Sequence, residues 1–124
     1  MIGYVTLGTN DIDKAAAFYD QLLAQLGARR FMESERFIAW GATPGQPMLS
    51  VAKPYDGAAA THGNGTMIAL VVDGTGKVDA LYKKAMELGA TDEGKPGERM
   101  KGFYAAYFRD LDGNKLNCFY MGAE

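Results

Sequence analysis

The sequence holds one cysteine, one histidine, one tryptophan and four prolines in 124 residues. A lone cysteine, Cys118, forms no internal disulfide, which points to a reducing, cytoplasmic setting. A lone histidine, His62, leaves no second imidazole for a histidine-based metal centre. Long apolar runs are missing. The longest, such as Met67 to Val72, has six residues, against the ~20 that a membrane-spanning helix requires. The start, Met1 to Asp11, has neither a charged n-region nor a long apolar h-region, so no signal peptide is predicted. An excess of one charge is also lacking, with 13 basic and 15 acidic residues and a net charge of −2. Arg29-Arg30 and Lys83-Lys84 are pairs rather than basic runs, which argues against nucleic acid as the main partner.

Glycine is abundant, at 16 residues, nearly twice the usual ~7%. Without a fixed short period, that many glycines predict many turns and therefore many strands. Hydrophobic residues at 48% and charged residues at 23% are those of a globular domain.

The order of the chain repeats. Leu26-Gly27-Ala28 is echoed by Leu88-Gly89-Ala90 at a spacing of 62, and Phe37 to Trp40 by Tyr104 to Tyr107 at 67. Leu49 matches Leu116 at the same 67. Each half reads as strand, helix and three strands. In the first, a β-rich run from Ile2 to Leu7 precedes a helix capped by Asn10 or Asp11. Ala15, Phe18, Leu22 and Leu26, widened by Tyr19 and Leu23, form its apolar stripe, and Gly27 stops it. Strands follow near residues 29–34, 36–41 and 47–53. In the second half, Met67 to Val72 is a strand and Val78, Leu81, Ala85 and Leu88 mark a helix ended by Gly89. A short strand near 90–93, a loop Gly94-Lys95-Pro96-Gly97, and strands over 102–109 and 115–121 complete it. Asp112-Gly113 between the last two is a hairpin signal. Residues 54–66 carry no periodicity and read as a linker between a first module of about 1–53 and a second of about 67–122; connections this long are often functional.

A duplicated strand-helix-three-strand unit of this size resembles the vicinal oxygen chelate superfamily, which includes glyoxalase I, extradiol dioxygenases, methylmalonyl-CoA epimerase and the bleomycin and fosfomycin resistance proteins. The residues that carry the resemblance are Gly3 to Leu7 with Asp11 to Tyr19 behind, and Tyr107 to Asn117. The latter is similar to the family's Phe-x-Asp-Pro-Asp-Gly-Asn hairpin, with Leu111 in place of proline. The resemblance implies an α+β fold in one glyoxalase/bleomycin resistance-like domain, residues 1–124, with two βαβββ modules forming a cup-shaped sheet. It also implies pairing of modules across a homodimer. Metal-dependent members draw His or Gln, Glu, His and Glu from four equivalent strands. The matching positions here are Tyr4, Ser50, Met67 and Asn117. Divalent cations of this kind want carboxylate and imidazole, so no metal and no cofactor is expected.

The remaining candidates are weighed against plainer readings. His62 reads as a solvated loop residue first and as a pocket or interface residue second. Cys118, between Leu116 and Phe119, reads as a small core residue rather than a nucleophile. Asp110 to Asn114 lacks the sixth-position Gly and twelfth-position Glu of an EF-hand, and turn chemistry accounts for it. Gly63-Asn64-Gly65 and Gly74-Thr75-Gly76 lack the remainder of a phosphate-loop motif. A three-residue hairpin loop sets Tyr107 beside Asn117, and the spacing of 67 sets Trp40 beside Ser50. Tyr4, Trp40, Ser50, Met67, Tyr107 and Asn117 then line one face, either as core or as a ligand site, with Arg109 at its rim. The resulting expectation is metal-independent binding of a small planar or aromatic molecule. The alternatives are a glyoxalase-like lyase or isomerase, or a dioxygenase-related enzyme, with a non-standard active site, and a protein whose partner is another macromolecule. A homodimer is expected, with the stretch from Gly57 to Thr66 near its interface.

Overall fold

A computed structural model of the protein describes residues 1–122. The chain divides into two units, the first Met1–His62 and the second beginning at Gly63. Each unit contains a strand, a helix and three strands, so the expected α+β class and βαβββ plan hold. The strands form two four-stranded sheets, one per unit.

The first unit comprises β1 (Tyr4–Gly8), α1 (Ile12–Ala24), β2 (Arg29–Glu33), β3 (Phe37–Gly41) and β4 (Met48–Ala52). Its sheet runs β1-β4-β3-β2, parallel between β1 and β4 and antiparallel elsewhere. The helix α1 starts where the Asp11 side chain accepts from the Lys14 amide at 3.1 Å. It ends where the Ala28 amide reaches back to the Leu23 carbonyl, with Gly27 at φ 75°. Ala15, Phe18, Tyr19, Leu22 and Leu23 are buried on its sheet-facing side. Opposite them lie Leu7, Ile38, Trp40, Leu49 and Val51, all buried. Burying each large side chain contributes ~1.5–3 kcal/mol.

The second unit comprises β5 (Ile68–Val71), α2 (Thr75–Glu87), β6 (Thr91–Met100), β7 (Phe103–Arg109) and β8 (Lys115–Met121), with sheet order β5-β8-β7-β6. Val78, Leu81 and Ala85 of α2 are buried, as are Phe108, Leu116 and Cys118. The Gly94–Gly97 stretch, expected as a loop, is part of the ten-residue β6. The reason is position: β6 is an edge strand, where Pro96 costs no ladder hydrogen bond, and register shifts at Gly94 and Gly97 absorb the irregularity.

The hairpin between β7 and β8 forms as expected. The Asp110 amide donates to the Asn114 carbonyl at 2.9 Å, and Gly113 has φ 88°. Asp110 Oδ1 accepts from the amides of Asp112 and Asn114, both at 2.9 Å, while Asn114 Nδ2 donates to Asp110 Oδ2. The Asp-x-Asp-Gly-Asn run therefore ties its own turn and needs no cation.

One expected register is wrong. Trp40 stands opposite Leu49, and Ser50 opposite Ala39. The connection from β3 to β4 has six residues, 42–47, whereas that from β7 to β8 has five, 110–114. The repeat spacing of 67 therefore holds for β4 and β8 but becomes 68 for β3 and β7. Trp40 corresponds to Phe108, and both are buried on the helix side of their sheets.

Candidate functional site

The first unit carries an open pocket of about 560 Å³. Its floor is the end of the sheet, with Thr6 and Gly8 of β1, Phe37 of β3 and Ala52 of β4. Its wall is the aperiodic stretch Pro54–Thr61, which crosses Gly8 closely. A β-carbon at Gly8 would stand 3.1 Å from the Ala60 Cβ. Asn10 fastens the stretch, since its Oδ1 accepts from the Ala60 amide at 2.7 Å and its Nδ2 donates to the Ala60 carbonyl at 3.3 Å. Arg36 fastens the near end, where Nη2 donates to the Pro54 carbonyl at 2.7 Å. A smaller depression of about 260 Å³ includes Thr9, Asn10 and Gly57 in its lining and shares Arg36, Lys53, Pro54 and Ala59 with the pocket.

A hydroxyl relay orients one polar group of the pocket. Ser50 Oγ donates to the Val5 carbonyl at 2.8 Å, because a carbonyl only accepts. Thr6 Oγ1 lies 2.8 Å from Ser50 Oγ. With the Ser50 proton committed to Val5, Thr6 is the donor to Ser50. Thr6 Oγ1, which lines the pocket, therefore presents its lone pairs as an acceptor.

The sequence-predicted residues fall on both units, three on each. Tyr4 and Ser50 share the face of the first sheet away from α1. Tyr4 is 57% exposed and meets Phe37 edge to face, with ring centroids 6.1 Å apart. Ser50 is buried and serves Thr6. Trp40 leaves the set: it is 1% exposed, its ring centroid lies 5.7 Å from that of Tyr19, and Nε1 donates to Asp20 Oδ1 at 2.8 Å. Asp20 is also gripped by Arg30 through Nε and Nη2 at 2.9 and 2.8 Å. Its carboxyl is held below the usual carboxylate range, first by the Arg30 hydrogen bond and, in smaller part, by Trp40, with partial burial opposing both.

In the second unit, Tyr107 and Asn117 are paired as expected. The Tyr107 ring lies 5.3 Å from the Arg99 guanidinium and 5.5 Å from Lys115 Nζ. Asn117 is buried and donates to the Ala106 carbonyl at 3.3 Å. Met67 lies just before β5 and is 40% exposed. Arg109 is occupied by Glu93 at 3.1 Å and by the Gly113 carbonyl at 2.8 Å. His62 is exposed. Cys118 is fully buried, its Sγ 3.8 Å from the Val78 carbonyl, and desolvation pushes its thiol up to about 11. At that value it is a core residue rather than a thiolate nucleophile.

The metal set implied by the family does not fit this chain. Tyr4, Ser50, Met67 and Asn117 offer no carboxylate or imidazole, and the Ser50 hydroxyl is committed to Val5 and Thr6. Among the described residues, no three His, Cys, Asp or Glu side chains gather where they could hold an ion.

Sequence reasoning marked the 54–66 stretch but missed Thr6, Arg36, Phe37 and Lys53. The signal lay in the register: Arg36 and Lys53 come opposite one another only when β3 and β4 pair as observed.

With this geometry established, comparison with known proteins places the chain in a family. It belongs to the glyoxalase/bleomycin resistance protein/dioxygenase superfamily, whose sequence model matches residues 1–118. A glyoxalase/bleomycin resistance protein from Albidiferax ferrireducens T118 is 31% identical, with a TM-score of 0.90 over 98% of this chain and 99% of that one. A glyoxalase/bleomycin resistance protein/dioxygenase family enzyme from Burkholderia phytofirmans PsJN has 24% identity and a TM-score of 0.79, over 97% of this chain and 98% of that one. Lactoylglutathione lyase from Agrobacterium tumefaciens shares the fold, with 20% identity, a TM-score of 0.71, and coverage of 97% and 92%. No curated protein matches the sequence.

Proposed function

We propose that the protein binds a small, planar organic molecule without a metal ion, and that the pocket of the first unit is where it does so. The observation that carries this reading is the lining: the apolar Phe37, Ala52 and Ala60 beside the polar Thr6 and Arg36, in a volume of about 560 Å³. Ligand sites commonly combine an apolar surface with a few placed polar groups in ~300–1,000 Å³. Tyr4 and Phe37 extend the aromatic surface along the same sheet face. The donor chemistry at Tyr4, Ser50, Met67 and Asn117 supports a metal-independent mode, in which binding is sequestration. The buried, unreactive Cys118 suits a reducing cytoplasm. No helix among the described residues is long and apolar enough to cross a membrane.

We also propose a homodimer. The sheets end in β1 and β5, and Tyr4, Val71 and Met121 leave apolar surface exposed.

Screening neutral and charged planar fragments by amide chemical-shift perturbation tests the binding reading. The expected result is shifts gathered at Thr6, Phe37, Ala52 and Ala60. A library of several hundred that moves none of these amides, at roughly millimolar ligand where even weak binding registers, overturns it.

A further inference from the structure

Resting on the binding reading above, we propose that the pocket takes an aromatic carboxylate, with the anion held by Arg36 and Lys53 and the ring laid against Phe37. The two cations are direct cross-strand neighbours. The Lys53 amide donates to the Arg36 carbonyl at 2.9 Å, which continues the β3–β4 ladder one pair beyond Phe37 and Ala52. Like charges placed directly opposite one another repel. A protein surface ordinarily relieves this with a nearby carboxylate, and here none does. Among the described residues, the cationic side chains in ion pairs are those of Arg30, Lys77, Lys95 and Arg109, and neither Arg36 nor Lys53 joins them.

Arg36 is positioned rather than loose. Its Nη2 is anchored on the Pro54 carbonyl at 2.7 Å and points also to the Lys53 carbonyl at 3.4 Å. That anchor fixes the guanidinium while Nε and Nη1 keep their protons for another acceptor. Asp56 is the one acid of the lining, and its Oδ1 accepts from the Ala58 amide at 2.9 Å. The lining as a whole therefore carries one net positive charge, which matches a monoanion. The half-buried Phe37 and the exposed Tyr55 line the same pocket and offer flat faces for a ring. Thr6 Oγ1, left as an acceptor by its bond to Ser50, favours a ligand that also carries a hydrogen-bond donor.

The test uses trans-cinnamate and its uncharged counterpart, cinnamamide, titrated by calorimetry and by amide chemical shifts at Phe37, Ala52 and Ala60. Cinnamate should bind at least tenfold more tightly than cinnamamide, and added salt should shrink that ratio, because exposed charges are screened. Arg36→Gln and Lys53→Gln should each reduce the ratio, and Arg36→Lys should restore most of it. Lys53→Gln removes no side-chain hydrogen bond among the described residues, so it reads the charge. Equal binding of acid and amide at the same residues overturns the anion site and leaves the small-molecule reading standing. A preference for cinnamate that survives both Gln substitutions also overturns it, as does the absence of any shift with either probe. In the last case, the neutral members of the fragment screen decide whether the pocket binds anything.

Discussion

Asn10 and Ala60 exchange two hydrogen bonds, the Ala60 amide to Asn10 Oδ1 at 2.7 Å and Asn10 Nδ2 to the Ala60 carbonyl at 3.3 Å. One side chain at the entrance to α1 thus does for the aperiodic stretch what a ladder partner does for a strand. The pocket wall is held at this point and at the Arg36 contact to Pro54.

Gly8 should be intolerant of bulk for this reason. Its conformation does not require glycine, but a β-carbon there would press on the Ala60 Cβ at 3.1 Å, and the wall would have to give by a few tenths of an ångström. Gly8→Val is expected to cost about 1–3 kcal/mol, as overpacking does. Chemical denaturation gives the number, and amide shifts spread over residues 54–61 show that the wall has moved. Asn10→Ala should cost about 1 kcal/mol or less, since its bonds are exposed, while shifting the same amides. A Gly8→Val protein with wild-type stability and wild-type shifts at Ala60 contradicts the account.

Trp40 should report folding and not ligand. Trp40→Ala is expected to cost about 3–5 kcal/mol, as removal of a buried indole does, measured by denaturation. Its emission should stay constant as the first-unit pocket is titrated and move to the red on unfolding. The bond to Asp20 adds a pH dependence. Because the Asp20 carboxyl sits below its unfolded value of 3.8, the folded state releases that proton more readily than the unfolded chain. The resulting stabilisation is fully present above that value and fades as the pH falls through the depressed one. Asp20→Asn should flatten this acid limb of the stability curve. An unchanged limb shows that the Arg30–Asp20–Trp40 cluster is not coupled to folding.

Much of the fold was legible because helix stripes and turn residues are local signals. Ala15, Phe18 and Leu22 announce α1, and Asp110 to Asn114 announces the last hairpin, down to the pairing of Tyr107 with Asn117. The faces of β3 and β4 were not legible. One extra residue in the 42–47 connection shifts β3 against the repeat, and a shift of one residue exchanges the two faces of a strand. Trp40 therefore moved from a ligand surface to the core. The pocket was hidden for a related reason: Arg36 and Lys53 are seventeen positions apart in sequence, and only the observed pairing sets them side by side. The 54–66 stretch was conspicuous for its lack of pattern, yet nothing local says that Asn10 holds Ala60.

Purification without chelator, followed by elemental analysis, should give far less than one zinc, nickel, iron or manganese per chain. The reasoning is the donor set of Tyr4, Ser50, Met67 and Asn117, together with the committed hydroxyl of Ser50. A stoichiometric metal overturns the metal-independent reading.

Sedimentation at tens of micromolar protein, a range chosen roughly to favour assembly, should give a mass near twice the 13.4 kDa of the chain. Charged substitution of Val71, which is 68% exposed on β5, tests the surface: Val71→Lys should weaken association if β5 lies at the interface. A mass that stays at 13.4 kDa in the parent protein counts against the dimer.

Cys118 should be inert until the second unit opens. The thiol is fully buried beneath α2, and desolvation raises it to about 11. At pH 8 the thiolate fraction is then on the order of one part in a thousand, three decades below the titration point, and burial denies a reagent access to even that fraction. Alkylation by iodoacetamide requires the thiolate. Labelling of the native protein should therefore follow the opening of the second unit, with rates that rise as denaturant is added. In strong denaturant the modification should be complete, one adduct per chain by mass spectrometry, matching the single cysteine. Labelling of the native protein at the rate of a free, exposed thiol contradicts both the packing of β8 against α2 and the structural role assigned to Cys118. The same experiment with cinnamate bound separates the units: ligand in the first-unit pocket stabilises that unit, and slower Cys118 labelling shows that the two units unfold as one.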